Sequence, residues 1–370
     1  MKKSLYIFLI PVLIIPLLSV TKNKTGPLDP DKNLRKVVDT TGFAQFDWQL
    51  EKILKRINNG QKELLEKVLQ NKTIPGSENW KVVISPHDDY SYVGYLYPAL
   101  LKNIRARTIF LFGVAHKAKQ LGLKDKIIFD SFEKWHGIYN PVNVSEIREE
   151  LIRDLPEWMR TVNNNMHAIE HSLEALIPFL QFYNRKIEII PILVPYMNYK
   201  KISEISRILA GIIGKIIKRK GWKWGKDFAF AISSDSVHYG DKGWGGKNFA
   251  RFGTDKKGYE KAVNYEKEII NNCLTGEITP EKIEVFTKYT VKENDYKEYK
   301  WTWCGRYSIP FGLMTSYYLK NILKEDMEGI FVGYGTSIGH PHIKVDDLKM
   351  GVTAPANLRH WVGYTAIGYK

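Results

Sequence analysis

The chain predicts an α/β fold: a single domain in which a central, mostly parallel mixed sheet is flanked by helices. Three observations predict it. Short continuous apolar runs alternate with longer amphipathic ones, as buried parallel strands alternate with the helices that cover both faces. The chain has 370 residues, 44% of them hydrophobic, which is enough to bury one large core. No internal repeat and no break in composition divides it.

Taken in order, Lys2 and Lys3 precede the apolar run "LYIFLIPVLIIPLLSV", Leu5 to Val20. The run is shorter than the roughly 20 residues of a spanning helix and is interrupted by Pro11 and Pro16. Residues 1–21 therefore read as a signal peptide or an N-terminal anchor, which implies an exported or periplasmic protein, or one associated with a membrane through this segment. Residues 22–41 are polar and rich in turn formers and read as a linker, leaving 42–370 as the α/β domain. "FDWQLEKILKRINNGQKELLEKVLQ" has helical spacing with a break at Gly60. Strands are expected at "KVVISP", "RTIFLFGV", "KIEIIPILVP", "DFAFAISS", "GIFVGYG" and "VGYTAIGY". Helices are expected at "YPALLKNI", "VSEIREELIRDL", "HSLEALIPFLQFY", "ISEISRILAGIIGKIIKR", "YEKAVNYEKEIINNCL" and "PFGLMTSYYLKNILK".

Charge narrows the function classes. Lysine and arginine number 55 against 40 aspartates and glutamates, a formal charge of +15. The lysines are interleaved with acids in many segments and no nucleic-acid motif accompanies them, so they read as a solvated surface rather than a nucleic-acid footprint. Two cysteines, Cys273 and Cys304, make no disulfide scaffold. Cys273, inside a helical pattern, reads as core.

The histidines carry the chemistry. His87 follows the strand "KVVIS", His116 follows "TIFLFG", and His238 follows "FAFAIS" in "AISSDSVHYG". In an open α/β sheet, ligands bind beyond the carboxyl ends of the strands, where such residues converge. Singly, each is an ordinary loop or core histidine; together, three of nine histidines at matching strand ends predict one pocket. Two imidazoles and an anionic group make a divalent metal site, the anion being Asp88, Asp89, Asp235 or the thiolate of Cys304.

The ordered blocks "PHDDYSYVGYLYPALL", "IFLFGVAHKA", "AIEHSLEALIPFL", "IIPILVP", "AISSDSVHYG" and "TWCGRYSIPFGLM" resemble the Memo family, also called AmmeMemoRadiSam system protein B, from about Lys81 to the C-terminus. The resemblance implies the fold of the class III extradiol dioxygenases. It implies His87, His116 and Cys304 as metal ligands, with iron or copper the expected metal and zinc an alternative. It places His238 beside them as an acid or base, oriented by Asp235 or another carboxylate; the Glu-His-Ser start is either a helix cap, with His171 and Ser172 opening the helix, or puts Glu170 and His171 at the pocket mouth. Metal-dependent dioxygenase-type redox chemistry on an unidentified small molecule or peptide follows by analogy. So do radical SAM and other partners of the AmmeMemoRadiSam system.

The chain also departs from that pattern. Asp88 and Asp89 stand where the family has Ala-Gly, and Lys117 replaces the second histidine of its His-His pair. The two carboxylates make the pocket more anionic and are candidate additional ligands. "SPHDDY" also resembles the His-Pro-Asp-Asp motif of zinc-dependent deacetylases, the alternative enzyme reading, and a non-catalytic peptide or metal binder is the other. His340 and His342 have the H-x-H spacing of a second metal site, in a segment that reads as a loop. The glycine-rich Gly240 to Phe249 reads as a mobile loop able to cover the pocket.

Overall fold

The computed structural model describes residues 33–70 and 79–370. The signal peptide or anchor expected at 1–21, and the linker as far as Lys32, lie outside the described residues. Among the described residues no helix is long and apolar enough to cross a membrane.

Six long strands form the centre: β1 (Val82–Ser85), β2 (Thr108–Val114), β3 (Glu188–Val194), β4 (Phe228–Ser233), β5 (Glu328–Thr336) and β6 (His360–Tyr369). Their spatial order is β3-β2-β4-β1-β6-β5. The first four run parallel and in register, while β6 is antiparallel to β1 and β5 antiparallel to β6. The sheet is thus mixed and mostly parallel in its core, as the alternating pattern predicts.

Period-two alternation divides the sheet's side chains between two cores. Val82, Ile84, Phe110, Phe112, Phe228, Phe230 and Ile232 enter one, covered by the helices Tyr199–Lys220, Lys256–Cys273 and Ser308–Leu323. Val83, Ile109, Leu111, Ala229 and Ala231 enter the other, covered by Asp47–Gly60, Leu96–Leu101 and Leu176–Tyr183. The aromatic side of β4 faces thick helices and its alanine side faces aromatic rings that need the room. Gly312 shows how tight the fit is: a Cβ there would lie 2.5 Å from the Ile232 side chain, so the helix after Cys304 rests directly on β4.

All six expected strands and all six expected later helices are present, with ends shifted by a few residues. The first helical stretch breaks at Gln61 into Asp47–Gly60 and Lys62–Leu69, one residue after Gly60. Two corrections concern the margins. Within the expected linker, Leu34–Arg35 pairs with Lys134–Trp135, and buried Arg35 forms an ion pair with Glu174, so the ordered domain already includes Asn33 rather than starting at 42. Charge burial of this kind needs a partner over a hundred residues away and leaves no local pattern. The helix Pro280–Thr290 was not among the expected elements either; Thr279 caps it, accepting from Lys282 N, and Pro280 opens it.

Candidate metal centre

The pocket is built at the carboxyl ends of β1, β2 and β4. Strand β1 ends at Ser85, and Pro86 turns His87 inward, leaving it 2% exposed. Its backbone N–H donates to Asp235 Oδ1 at 2.9 Å, and its Nδ1 lies 2.7 Å from Ser233 Oγ. Since Ser233 Oγ donates its own hydrogen to the Ser172 carbonyl, it must accept from His87, which places the ring proton on Nδ1. The Nε2 lone pair then faces the pocket.

His116 repeats the arrangement from β2. Its backbone N–H donates to Glu170 Oε2 at 2.7 Å and its Nδ1 to Glu170 Oε1 at 2.8 Å, again freeing Nε2. Burial would push the Glu170 carboxyl up, but the charge and hydrogen bond of His116, with smaller help from His171 and Ser172 N–H, hold it down at about 2. Its carboxylate therefore lies behind the ring as the acceptor for His116. The sequence placed Glu170 at the pocket mouth; it is instead 2% exposed and sits behind His116, because its second duty is to anchor the turn through Ser172 N at 2.9 Å. His171 does lie at the mouth, stacked on His116 with ring centres 5.0 Å apart, and burial lowers its pKa to about 4.

Cys304 arrives from the turn before the helix Ser308–Leu323. Its Sγ is 3.5 Å from His87 Nε2 and accepts from Asp235 N at 3.2 Å. Burial, reinforced by the Asp235 charge, raises its thiol pKa well above the usual value. In this buried setting the thiol form is favoured, so the thiolate forms only when a bound cation draws off its proton. The ligand atoms of His87, His116 and Cys304 lie within 4.8 Å of one another. Two ligands at ordinary Zn–N and Zn–S distances subtend roughly 3.5 Å at tetrahedral angles, which matches the Cys304–His87 separation. The donor set and its spacing thus fit a single soft or borderline metal.

Two further groups of donors adjoin it: His116, Glu170 and His171, and Asp235, His238 and Cys304. Asp235 does not orient His238 as the sequence suggested. Its hydrogen bond and its 3.4 Å contact with Nε2 are both to His87, and burial raises its own pKa to about 7. His238 is fixed instead by its backbone, whose N–H donates to Thr302 O at 3.1 Å while its carbonyl accepts from Thr302 Oγ1 at 2.6 Å. Burial, then the charges of His116, His360 and His171, lower its pKa to about 3, and its buried Nε2 has no hydrogen-bond partner. The expected covering loop supplies Trp244, whose ring is edge-on to His238 at 5.4 Å and stacked on His360 at 3.8 Å. His360, on β6, has no motif around it and was not identified from sequence.

Asp88 and Asp89 turn away from the donors. Asp88 accepts from the Tyr364 hydroxyl and from Asp89 N, while Asp89 accepts from Thr353 N at 2.6 Å. Burial raises both, Asp88 to about 7 with help from the Asp235 charge and Asp89 to about 8 with help from Asp88. Neither has a positive φ, so replacing the family's glycine costs no backbone strain here. They enter none of the donor groups among the described residues. His340 and His342 are also outside them; His340 packs on Tyr95 and bonds Pro341 O, while His342 packs on Tyr92 and bonds Ser337 O at 2.5 Å.

A parallel-centred α/β sheet with two imidazoles and a thiol converging beyond its strand ends defines an α/β protein with a cluster of side chains that could hold a metal ion. The comparisons with known proteins specify the family. A family model described as Memo-like protein matches residues 56–346, and the chain belongs to that family. It is 31% identical over 162 residues to a MEMO1 family protein of Aquifex aeolicus, covering 43% of this chain and 54% of the relative. Identity is 29% over 161 residues with one from Methanosarcina barkeri (42% and 54%), and 31% over 163 residues with one from Sulfurisphaera tokodaii (42% and 52%). The chain thus spans about half the length of the curated relatives it matches.

Proposed function

We propose that this chain is a Memo-like metalloprotein in which His87, His116 and Cys304 hold one iron or copper ion for dioxygenase-type redox chemistry on a small molecule. The observation that carries this reading is the pair of fixed tautomers: Ser233 and Glu170 each take the Nδ1 proton, leaving two Nε2 lone pairs directed at a thiol 3.5 Å from one of them. A bound metal of this class supplies open coordination positions and one-electron chemistry. The residues do the rest. Cys304 gives up its proton and contributes an anion that the buried pocket otherwise disfavours. His238, neutral and unpartnered at Nε2, can accept a proton from a ligand lying between it and the donors. His171 and Trp244 flank the opening and limit water.

Anaerobic purification followed by elemental analysis tests the reading. Near-stoichiometric iron or copper is expected in the wild type and its loss in Cys304→Ala. Zinc retained in that variant would overturn the redox assignment, as would a metal-free wild type.

A further inference from the structure

A groove of about 620 Å3 lies beside the glycine-rich loop, with Lys247, Asn248 and Phe249 in its lining. Lys247, Arg251, Lys292 and Lys300 line it against a single carboxylate, Glu298. Its lining includes Tyr299 and Thr302, and Thr302 hydrogen-bonds the His238 backbone through its own carbonyl and hydroxyl. The groove is therefore one residue's thickness from the His238 backbone.

Behind Tyr299 lies an unusual cation. The Arg306 guanidinium carbon is 3.5 Å from the Tyr299 ring centre and 4.6 Å from that of Tyr307, and the residue is 9% exposed. Its Nη2 donates to Lys297 O at 3.2 Å, but its buried Nε has no partner. Among the described residues no carboxylate pairs with it. Burying an arginine normally requires a counter-ion, and stacking on tyrosine faces offsets only part of that cost. Arg306 stands two residues from Cys304, and Tyr299 feels the charges of both. A buried cation with no paired carboxylate, stacked on the lining residue Tyr299 of a groove that carries four more cations, makes the local field positive and suits an anionic ligand.

We propose that this groove is an oxyanion subsite of the metal pocket, holding the carboxylate or phosphate end of a small-molecule substrate whose other end reaches His238. The proposal rests on the metalloprotein reading for what happens at that other end, and not for the binding of the anion. It makes the substrate an acid and gives the loop bearing Lys247 a part in binding it.

Calorimetric titration of the full chain with malonate and with inorganic phosphate, at ionic strength held constant with chloride, tests it. Saturable binding of at least one probe is expected, the tighter one identifying the group. The exposed pair Arg251→Ala/Lys300→Ala should weaken it about tenfold, and Arg306→Gln at least as much. The double variant alone decides the matter where Arg306→Gln fails to fold. No saturation above chloride, or equal affinity in wild type and double variant, overturns the proposal. Binding that survives in the double variant but disappears with chelator places the anion on the metal, so the groove assignment fails while the metal reading stands. Anion binding in a chain that never holds metal leaves the groove standing and the metal reading overturned.

Discussion

Glu170 is the residue on which the donor geometry turns. It holds His116 at two points, N–H and Nδ1, and it remains ionised because His116 and the Ser172 N–H outweigh its burial. Substituting Glu170→Gln leaves one acceptor oxygen where two are used, and the amide's own N–H2 opposes a donor. The ring then loses its fixed tautomer without losing Nε2 itself. Metal affinity should fall by about 10–100-fold, the usual effect of removing the partner behind a ligating imidazole. A competitive chelator titration measures this, with the thiolate-to-metal absorption of the cobalt-loaded protein confirming that Cys304 still binds. Unchanged affinity would mean that His116 does not ligate. Ser233 is the counterpart for His87, and Ser233→Ala should act in the same direction by releasing Nδ1. Sequence reasoning named His87, His116 and Cys304, which the fold brings together, because strand-end position and residue type are local properties. It misplaced Glu170 and assigned Asp235 to the wrong histidine because the partner of a buried carboxylate is decided by packing between elements distant in sequence.

At the scale of elements, the glycine-rich loop from Gly240 to Phe249 shows the same division. Its glycines were read as freedom to move. At least one is there for a close approach: Gly243 has φ +77°, and a Cβ on it would lie 2.4 Å from His360 Nδ1. That nitrogen is 2.9 Å from Lys242 O, so the loop, the histidine and Trp244 form one packed unit against His238. Gly243→Ala combines a left-handed backbone with a clash, at a cost on the order of 1–3 kcal/mol. The expected outcome is local release, read as faster amide hydrogen exchange across Gly240 to Phe249 with near-normal exchange in β2 and β4. Exchange in the loop equal to wild type would show that it was never pinned. By contrast, the strands β1 to β4 were legible in full, since each is a continuous apolar run between breakers and needs no partner to be recognised. The antiparallel joining of β6 to β1 was not, because pairing direction depends on the route of the chain after β5.

For the molecule as a whole, the buried carboxyl of Glu266 ties three parts of the fold together. Its Oε1 accepts from Trp301 Nε1 at 2.5 Å and Trp303 Nε1 at 2.6 Å, and its Oε2 from Val237 N at 3.0 Å. Helix Lys256–Cys273, the segment leading to Cys304 and the turn after β4 are thereby joined at one fully buried side chain. Burial outweighs these N–H donors and pushes its pKa up to about 7. Because the folded pKa exceeds the unfolded one, the folded state binds more protons than the unfolded state between about pH 4.5 and 7. Stability from this group is therefore full below that window and falls as pH rises through it, by about 3 kcal/mol in all. Glu266→Gln cannot ionise and must also turn an amide N–H2 toward an N–H donor, so it should be less stable than wild type at pH 5. The deficit should shrink by pH 8.5, where the wild type carries a buried charge and the variant does not. Urea unfolding of both proteins at the two pH values measures the difference, and a deficit independent of pH would show that Glu266 stays ionised throughout, its three N–H donors having prevailed over burial.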